Sequence, residues 1–177
     1  MTKLRIGIDV DQTLADLHGP WIKWANAEFG THHTEFTQWD DPTNWWGDLA
    51  YKFLKPRIYD EDIIVPFDGA KITVDTLREQ GHDILFVTAC NHNEKMERSK
   101  AEWLKRHGLL YHMDEFHPRV DKSNAPADVL ADDGFHNVET FKGKGILVDA
   151  SHNKHDNWPH RIPHINALPV YLKTHED

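Results

Sequence analysis

Short apolar runs of strand length recur along the chain, and polar residues follow each of them. The clearest runs cover residues 6–9, 83–88, 129–131 and 145–148, and a further short run at 116–120 contains Pro118. The run at 83–88 is nearly all apolar, which is typical of a strand covered on both faces. Because proline cannot donate to a strand ladder, we expect the strand at 116–120 to lie at a sheet edge.

Amphipathic stretches with helical spacing lie between these runs. They cover residues 17–29, 70–80, 93–107, 136–141 and 166–173, and Gly30, Gly81 and Gly108 stand where the first three should end. Strands that alternate with helices in this way predict an α/β fold, a Rossmann-like parallel sheet with helices on both faces.

The segment at 31–66 departs from this alternation. Its periodicity is weaker, its aromatic residues are dense, and Asp40-Asp41-Pro42 interrupts it. We therefore predict a small helical cap inserted after the first strand, with boundaries near Asp16 and Pro66. Residues 1–16 and 67–177 then form the core domain, and residues 17–66 form the cap.

The composition limits which partners the protein can bind and in which cellular compartment we expect it. The chain of 177 residues is long enough for one sizeable core, and its net charge of −9 provides no basic face for a nucleic-acid backbone. Cys90 is the single cysteine, which excludes an internal disulfide and fits a reducing interior. No run approaches the roughly 20 apolar residues of a membrane span, and the stretch before Asp9 is too short for a signal peptide. We expect a cytoplasmic protein without nucleic-acid or membrane partners, and whether it forms a homodimer stays open.

Polar side chains stand at the ends of three predicted strands. They are Asp9 and Asp11 after the first strand, Thr88 at the end of the second, and Asp132 and Asp133 after the third, with Lys122 shortly before the last pair. In a parallel sheet these ends share one edge, so we expect the side chains to converge. Carboxylates suit a hard cation such as Mg²⁺, and an ammonium and a hydroxyl beside it complete a phosphate cradle. An acidic turn without a function is the competing interpretation of Asp9 and Asp11 taken alone.

The stretch Asp9-Val10-Asp11-Gln12-Thr13 resembles the DxDxT signature of the haloacid-dehalogenase-like (HAD) phosphohydrolases. Thr88, Lys122 and the Asp132-Asp133 pair resemble the later motifs of that superfamily, in the same order. By this resemblance Asp9 is the nucleophile, Asp11 is the general acid and base, and Thr88 and Lys122 bind the phosphoryl oxygens. The resemblance also implies a metal held by the Asp9 carboxylate, the Asp11 main-chain carbonyl and one carboxylate of the pair.

A narrower resemblance, to the pyrimidine 5′(3′)-deoxyribonucleotidases, covers residues 6–153. It rests on the first-motif segment 9–16, which ends at Asp16, on the position of the insertion, and on Lys100-Ala101-Glu102-Trp103. The resemblance implies that Lys100 binds the substrate phosphate. It also implies that Asp133 is the metal ligand, with Asp132 beside it.

The same resemblance suggests where a nucleobase would bind. Trp45-Trp46 resembles an aromatic pair that lines the nucleobase pocket, and Leu17 is a further candidate directly after the first motif. Trp39 is a less favoured stacking residue. Large side chains that only fill the core of a small cap are the competing interpretation of all these positions.

Together these features predict a Mg²⁺-dependent phosphatase that acts on (deoxy)nucleoside monophosphates through an aspartyl-phosphate. The alternatives are a HAD phosphatase for a non-nucleotide phosphometabolite, a non-catalytic binding module of the same fold, and a phosphatase of nucleic-acid ends. A phosphonatase would need a Schiff-base lysine from the cap, such as Lys52 or Lys55. The tail histidines His152, His155, His160 and His164 are spaced like a loose metal tract, although a solvated tail is the favoured interpretation.

Overall fold

A parallel sheet of six strands lies at the centre of the protein, in a computed structural model that describes residues 2–175. The strands are β1 (Arg5–Ile8), β2 (Asp83–Thr88), β3 (Phe116–Pro118), β4 (Val129–Asp132), β5 (Lys144–Val148) and β6 (Arg161–Ile162). Their order across the sheet is β3-β2-β1-β4-β5-β6. The order reverses at β1, and this is the kind of position where open α/β sheets form their ligand crevices.

Helices connect these strands and build the inserted segment. They are α1 (His18–Phe29), α2 (Asp41–Trp46), α3 (Arg57–Asp60), α4 (Ala70–Glu79), α5 (Glu94–Arg106), α6 (Phe135–Thr140) and α7 (Leu168–Thr174). Oδ1 of Asn93 accepts from the main-chain N–H groups of Lys95 and Met96, both at 3.1 Å, and so caps α5. Gly30 ends α1 in the left-handed conformation that glycine adopts without strain.

Strand β1 forms the centre of the core. Ile6 pairs with Ile84 of β2 on one side and with Val129 of β4 on the other. Ile6 and Ile8 are fully buried because helices cover both faces of the sheet. A Cβ at Gly7 would lie 3.2 Å from side-chain atoms of Ala127 and Val87, so a larger residue there would clash with these two side chains.

The inserted segment leaves the core and returns to it at one place. The main-chain N–H of Asp16 donates to the carbonyl of Val65 at 3.0 Å, and that of Phe67 donates to the carbonyl of Leu14 at 2.8 Å. Between these bonds the chain forms α1, α2, a 3₁₀ helix (Gly47–Phe53) and α3. The predicted α/β class with a small helical insertion is confirmed. The division into a core of 1–16 and 67–177 and a cap of 17–66 stays a prediction.

Strand β6 was not predicted from the sequence. It has only two residues, and its pairing with Leu147 and Val148 of β5 defines it. Side-chain alternation cannot reveal a strand of this length, because the period needs several residues to show. Within residues 2–175, no helix combines the length and the apolar character that crossing a membrane requires.

Candidate active site

The predicted polar side chains converge at the carboxyl edge of the sheet. Asp9 follows β1 directly, and its main-chain N–H donates to the carbonyl of Ala131 in β4 at 3.0 Å. Thr88 is the last residue of β2, and Asp132 is the last residue of β4. The site therefore lies where β1 meets both of its neighbours.

A tight turn after β1 directs the two aspartates of the first motif. The carbonyl of Val10 accepts from the main-chain N–H groups of Leu14 and Ala15, both at 2.9 Å. Gln12 has a φ of 58°, which lets the chain reverse at this point. Its side-chain oxygen accepts from the main-chain N–H of His18 at 3.0 Å and so links the turn to the start of α1.

Thr13 connects this turn to the end of β4. Its hydroxyl donates to Oδ1 of Asp133 and accepts from the main-chain N–H of Asp133, with both distances 3.1 Å. Thr13 and Asp133 are both buried. The threonine of the first motif therefore fixes the orientation of the predicted metal ligand.

Lys122 joins two of the carboxylates. Its Nζ lies 2.6 Å from Oδ1 of Asp9 and 2.7 Å from Oδ2 of Asp132, and the residue is only 4% exposed. Burial acts against the charged ammonium, yet the Asp132 and Asp9 carboxylates outweigh it and raise the pKa of Lys122. Lys122 is therefore an ammonium held between two carboxyl groups.

Asp9, Asp132 and Asp133 form a buried acidic cluster whose candidate ligand atoms all lie within 4.8 Å of one another. Burial raises the pKa of the Asp9 carboxyl well above its usual range; the Lys122 ammonium opposes this shift, whereas the charges of Asp132 and Asp133 add to it. Lys122 balances only part of this negative charge. A donor set of crowded carboxylate oxygens fits a hard divalent cation, which would relieve the repulsion.

Asp132 and Asp133 differ in how their oxygens are occupied. Oδ1 of Asp132 accepts from the main-chain N–H of Gly134 at 2.8 Å and from Asn137 at 3.0 Å, while its Oδ2 binds Lys122. Oδ2 of Asp133 lies beside the ring of His152, with Nε2 at 3.3 Å, and accepts no bond from a lysine or a main-chain N–H within residues 2–175. Asp133 is therefore the more available of the two for a metal ion.

Lys100 reaches the site from helix α5 and lies beside Asp11 and Thr88. Its Nζ donates to Oδ2 of Asp11 at 2.5 Å, to Oγ1 of Thr88 at 2.9 Å and to the carbonyl of Ala89 at 2.7 Å. The lysine is 2% exposed, whereas Asp11 is partly exposed. The structure thus brings together Asp11, Thr88 and Lys100 as a second polar group next to the acidic cluster.

Two histidines lie at the site although the sequence did not predict that they would. Nε2 of His152 lies 3.2 Å from the main-chain carbonyl of Asp133, and the ring of His18 packs 5.1 Å from that of His152. The expectation of a solvated tail is therefore wrong for His152, which is buried because the turn after β5 carries it back to β4. Only the three-dimensional return of the tail to the sheet edge could have revealed this role.

The two rings have opposite pKa shifts. Burial and the neighbouring His152 lower the pKa of His18 to about 3. Burial also acts to lower the pKa of His152, but the hydrogen bond and the charge of Asp133 raise it. The Nδ1 atoms of both rings are buried without a hydrogen-bond partner within residues 2–175. At neutral pH His18 is an uncharged polar group in the wall of the site.

A cleft of about 320 Å³ opens above the acidic cluster. Its polar lining includes Asp9, Asp11, Lys122 and Asp133. Apolar and aromatic side chains line it as well, namely Leu17, Trp21, Phe36, Trp39, Tyr51 and Leu54. The cleft therefore offers both charged groups and aromatic surface to one small molecule.

Trp45 and Trp46 are not among the described residues that line this cleft, and the base pocket expected at this pair stays a prediction. Trp46 is 8% exposed and packs on Phe29 with ring centroids 6.0 Å apart, and Trp45 stacks on His33 at 3.7 Å. They fill the interior of the inserted segment, since a small helical unit needs large side chains to form a core. Leu17 does line the cleft.

Trp39, the less favoured candidate for stacking, does line the cleft. It is 57% exposed, and its ring lies edge-on to His136 at 4.6 Å and to His152 at 5.3 Å. An aromatic face left open beside an acidic cluster can accept a planar ligand.

Comparison with known proteins identifies the family. The model of the family described as "5′ nucleotidase, deoxy (Pyrimidine), cytosolic type C protein" matches residues 3–165. The chain belongs to this family. Its membership confirms the resemblance to HAD phosphatases of the deoxyribonucleotidase type, and it confirms that the protein is an enzyme, a phosphatase of the nucleotidase class.

Individual relatives agree with this membership. The 5′(3′)-deoxyribonucleotidase of Bacillus subtilis (strain 168) is 30% identical over 168 residues, which cover 86% of this chain and 88% of the relative. The crystal structure of a predicted phosphatase from Clostridium acetobutylicum aligns with a TM-score of 0.60 at 12% identity, over 98% of this chain and 100% of that one. A HAD phosphatase from Thermococcus onnurineus aligns with a TM-score of 0.52 at 14% identity, over 97% and 98%. The two structures show the shared fold.

Proposed function

We propose that the protein is a Mg²⁺-dependent phosphomonoesterase that removes phosphate from deoxyribonucleoside monophosphates through an aspartyl-phosphate on Asp9. The observation that carries this proposal is the buried contact of Asp9 with Lys122, in a cleft that aromatic side chains also line. The name of the Bacillus subtilis relative supports the substrate class.

Asp9 and Asp11 divide the chemistry between them. A carboxylate oxygen of Asp9 attacks phosphorus, the bond from phosphorus to the nucleoside oxygen breaks, and that oxygen takes a proton from Asp11. Asp11 then accepts a proton from a water molecule that attacks the phosphoryl group, which releases phosphate and restores Asp9. The partial exposure of Asp11 supports this division, because a group that exchanges protons needs access to the cleft.

Positive and hydroxyl groups around the reacting phosphate stabilise its charge. We assign Lys122, Lys100 and Thr88 to the phosphoryl oxygens, since charge-assisted hydrogen bonds are the strongest of their kind. Lys122 already lies 2.6 Å from the nucleophile, so a phosphate bound there would be in reach of both. Thr88 and Lys100 are joined at 2.9 Å and would approach the phosphate from the side of β2.

The proposed Mg²⁺ site consists of the Asp9 carboxylate, the Asp11 main-chain carbonyl and the Asp133 carboxylate. We prefer Asp133 to Asp132 because Lys122, Gly134 and Asn137 already occupy the oxygens of Asp132. When bound, the cation supplies the positive charge that lets an anionic nucleophile approach an anionic phosphate. Thr13 and His152 hold Asp133 in the orientation that this role needs.

The aromatic part of the cleft lining is the proposed site of the nucleobase. Leu17, Phe36 and Trp39 line it, and base–aromatic stacking contributes about 1–3 kcal/mol for each base. Trp45 takes a supporting position, because its ring centroid lies 5.6 Å from that of Phe36. A cytoplasmic location stays a proposal that rests on the single cysteine, Cys90, and the lack of nucleic-acid binding stays one that rests on the net charge of −9.

A panel of phosphomonoesters tests the function. Phosphate release from each deoxyribonucleoside and ribonucleoside monophosphate is measured with Mg²⁺ and with EDTA, beside ribose 5-phosphate as the substrate without a base. We expect Mg²⁺-dependent release from the deoxyribonucleotides and poor release from ribose 5-phosphate. Equal release from ribose 5-phosphate would contradict the substrate class, and full activity in EDTA would contradict the metal dependence.

A further inference from the structure

Tyr59 of the inserted segment contacts the first motif directly. It lies in α3, is 1% exposed, and its hydroxyl donates to Oδ1 of Asp11, 48 positions away in sequence. The hydroxyl is the donor in this contact, because a carboxylate oxygen can only accept. A neutral donor from outside the sheet therefore holds one oxygen of the proposed general acid.

Helix α5 holds the main chain and the ring of Tyr59 in place. Nη2 of Arg106 donates to the carbonyl of Tyr59 at 2.6 Å, and the indole N–H of Trp103 donates to the carbonyl of Ile64 at 3.1 Å. The rings of Tyr59 and Trp103 meet edge-on with centroids 6.1 Å apart. Lys100, Trp103 and Arg106 recur every three residues and so share one face of the helix. The same helix face thus carries Lys100 to the site and holds the segment that supplies Tyr59.

The two oxygens of Asp11 have different partners. Oδ1 receives the neutral hydroxyl of Tyr59, whereas Oδ2 receives the ammonium of Lys100 at 2.5 Å. An incoming phosphate is an anion and competes with Asp11 for the ammonium, but it has no comparable attraction for a buried phenol. Lys100 also keeps Thr88 and the carbonyl of Ala89 as partners, so it can shift toward a phosphate without losing its place.

We propose that Tyr59 is a positioning residue, which anchors Oδ1 of Asp11 so that Oδ2 faces the leaving oxygen once the substrate phosphate has drawn Lys100 away. This inference rests on the proposed function. As the bond from phosphorus to the nucleoside oxygen breaks, its electron pair goes to that oxygen, which takes the proton from Oδ2 of Asp11. Tyr59 itself does not line the cleft and touches no reacting atom.

Leaving-group dependence distinguishes positioning from a merely structural role. The kcat/KM of Tyr59→Phe is compared with that of the unaltered protein for two substrates, dUMP and p-nitrophenyl phosphate. A nucleoside alkoxide needs a proton to leave, whereas nitrophenolate leaves without one. Since general acids contribute about 10²–10⁴-fold and small misplacements are costly, we expect a fall of at least about 10-fold for dUMP and less than about 3-fold for p-nitrophenyl phosphate.

Tyr111→Phe is the matched control. It removes a tyrosine hydroxyl that donates to Oδ1 of Asp75 at 3.0 Å on the surface, away from the cleft. We expect its kcat/KM to match that of the unaltered protein for both substrates. The ratio of the two kcat/KM values does not depend on the fraction of folded enzyme, so partial unfolding of Tyr59→Phe cannot imitate the expected result.

Other outcomes overturn the inference. Equal losses on both substrates would assign Tyr59 a structural role, and unchanged values on both would show that Asp11 needs no anchor. Failure of the unaltered protein to release phosphate from any nucleotide, with activity on p-nitrophenyl phosphate retained, would instead contradict the proposed function. The two failures are therefore distinguishable in one set of assays.

Discussion

Nζ of Lys122 lies 2.6 Å from Oδ1 of Asp9, and both side chains are buried at the end of the central strand. The ammonium also binds Asp132 and so joins β1 to β4 at the point where their carboxylates would otherwise repel each other. The same cation that stabilises the folded cluster is thus in place to stabilise a phosphoryl group on Asp9. Stability and chemistry depend on one contact.

Replacement of this cation should affect both properties. Lys122→Met removes one partner of a buried ion pair, which typically costs about 3–5 kcal/mol of unfolding free energy. We expect a loss of this order in urea unfolding at pH 7, together with loss of phosphatase activity. Lys3→Met is the control, because Lys3 forms an exposed pair with Asp83 at 2.8 Å. Equal midpoints for the two variants would show that Lys122 does not stabilise the cluster.

His18 should make the protein less stable in mild acid. The unfolded imidazole has a pKa of 6.5 and the folded one a pKa of about 3, so between these values the unfolded state binds more protons. The unfolding free energy therefore falls as the pH falls below 6.5, by about 2 kcal/mol at pH 5 from this residue alone. We expect His18→Gln to show a correspondingly smaller loss between pH 6.5 and 5 in urea unfolding. A pH dependence that is the same with and without His18 would exclude this assignment.

Trp39 should contribute to nucleotide binding, and Trp45 should contribute mainly to the packing of the inserted segment. Trp39→Ala removes the exposed ring at the cleft, and loss of about 1–3 kcal/mol of stacking raises the KM for dUMP by about 5- to 150-fold. We expect little change in the KM for ribose 5-phosphate, which has no base. Trp45→Ala is the comparison, with a lower melting temperature and a smaller change in KM. A larger increase in the KM for dUMP in Trp45→Ala than in Trp39→Ala would instead place the base pocket at Trp45 and Trp46.

Much of the fold could be predicted because strand ends and helix ends have local causes. Apolar runs mark β2 and β4, and glycines mark the ends of α1, α4 and α5 within a residue or two. The convergence of Asp9, Thr88 and Asp132 followed from the parallel sheet alone. Strand β6 could not be predicted, because its two residues show no pattern of their own. Only their pairing with β5 defines the strand.

The rest of the site depends on contacts between distant segments. Lys100 was expected on the phosphate, and in the structure its ammonium binds Asp11. Tyr59 and His152 reach Asp11 and Asp133 through the return of the inserted segment and of the tail, which no spacing in the sequence records. Trp45 and Trp46 pack inside the inserted segment, which the sequence did not reveal for a related reason. A resemblance gives the residue type at a position, but packing decides whether that residue faces a cleft or an interior.

Asp9→Asn removes the carboxylate that we propose as the nucleophile on phosphorus. The amide has nearly the shape of the carboxylate and removes one charge from a crowded acidic cluster, so the variant should keep its fold. The measurement is the rate of phosphate release from dUMP in Mg²⁺, with the melting temperature as the check on folding. Loss of the nucleophile should reduce this rate by about 10⁴-fold or more. The opposite result is a folded Asp9→Asn protein whose Mg²⁺-dependent release stays above roughly a tenth of the original rate. That result would show that Asp9 is not the nucleophile.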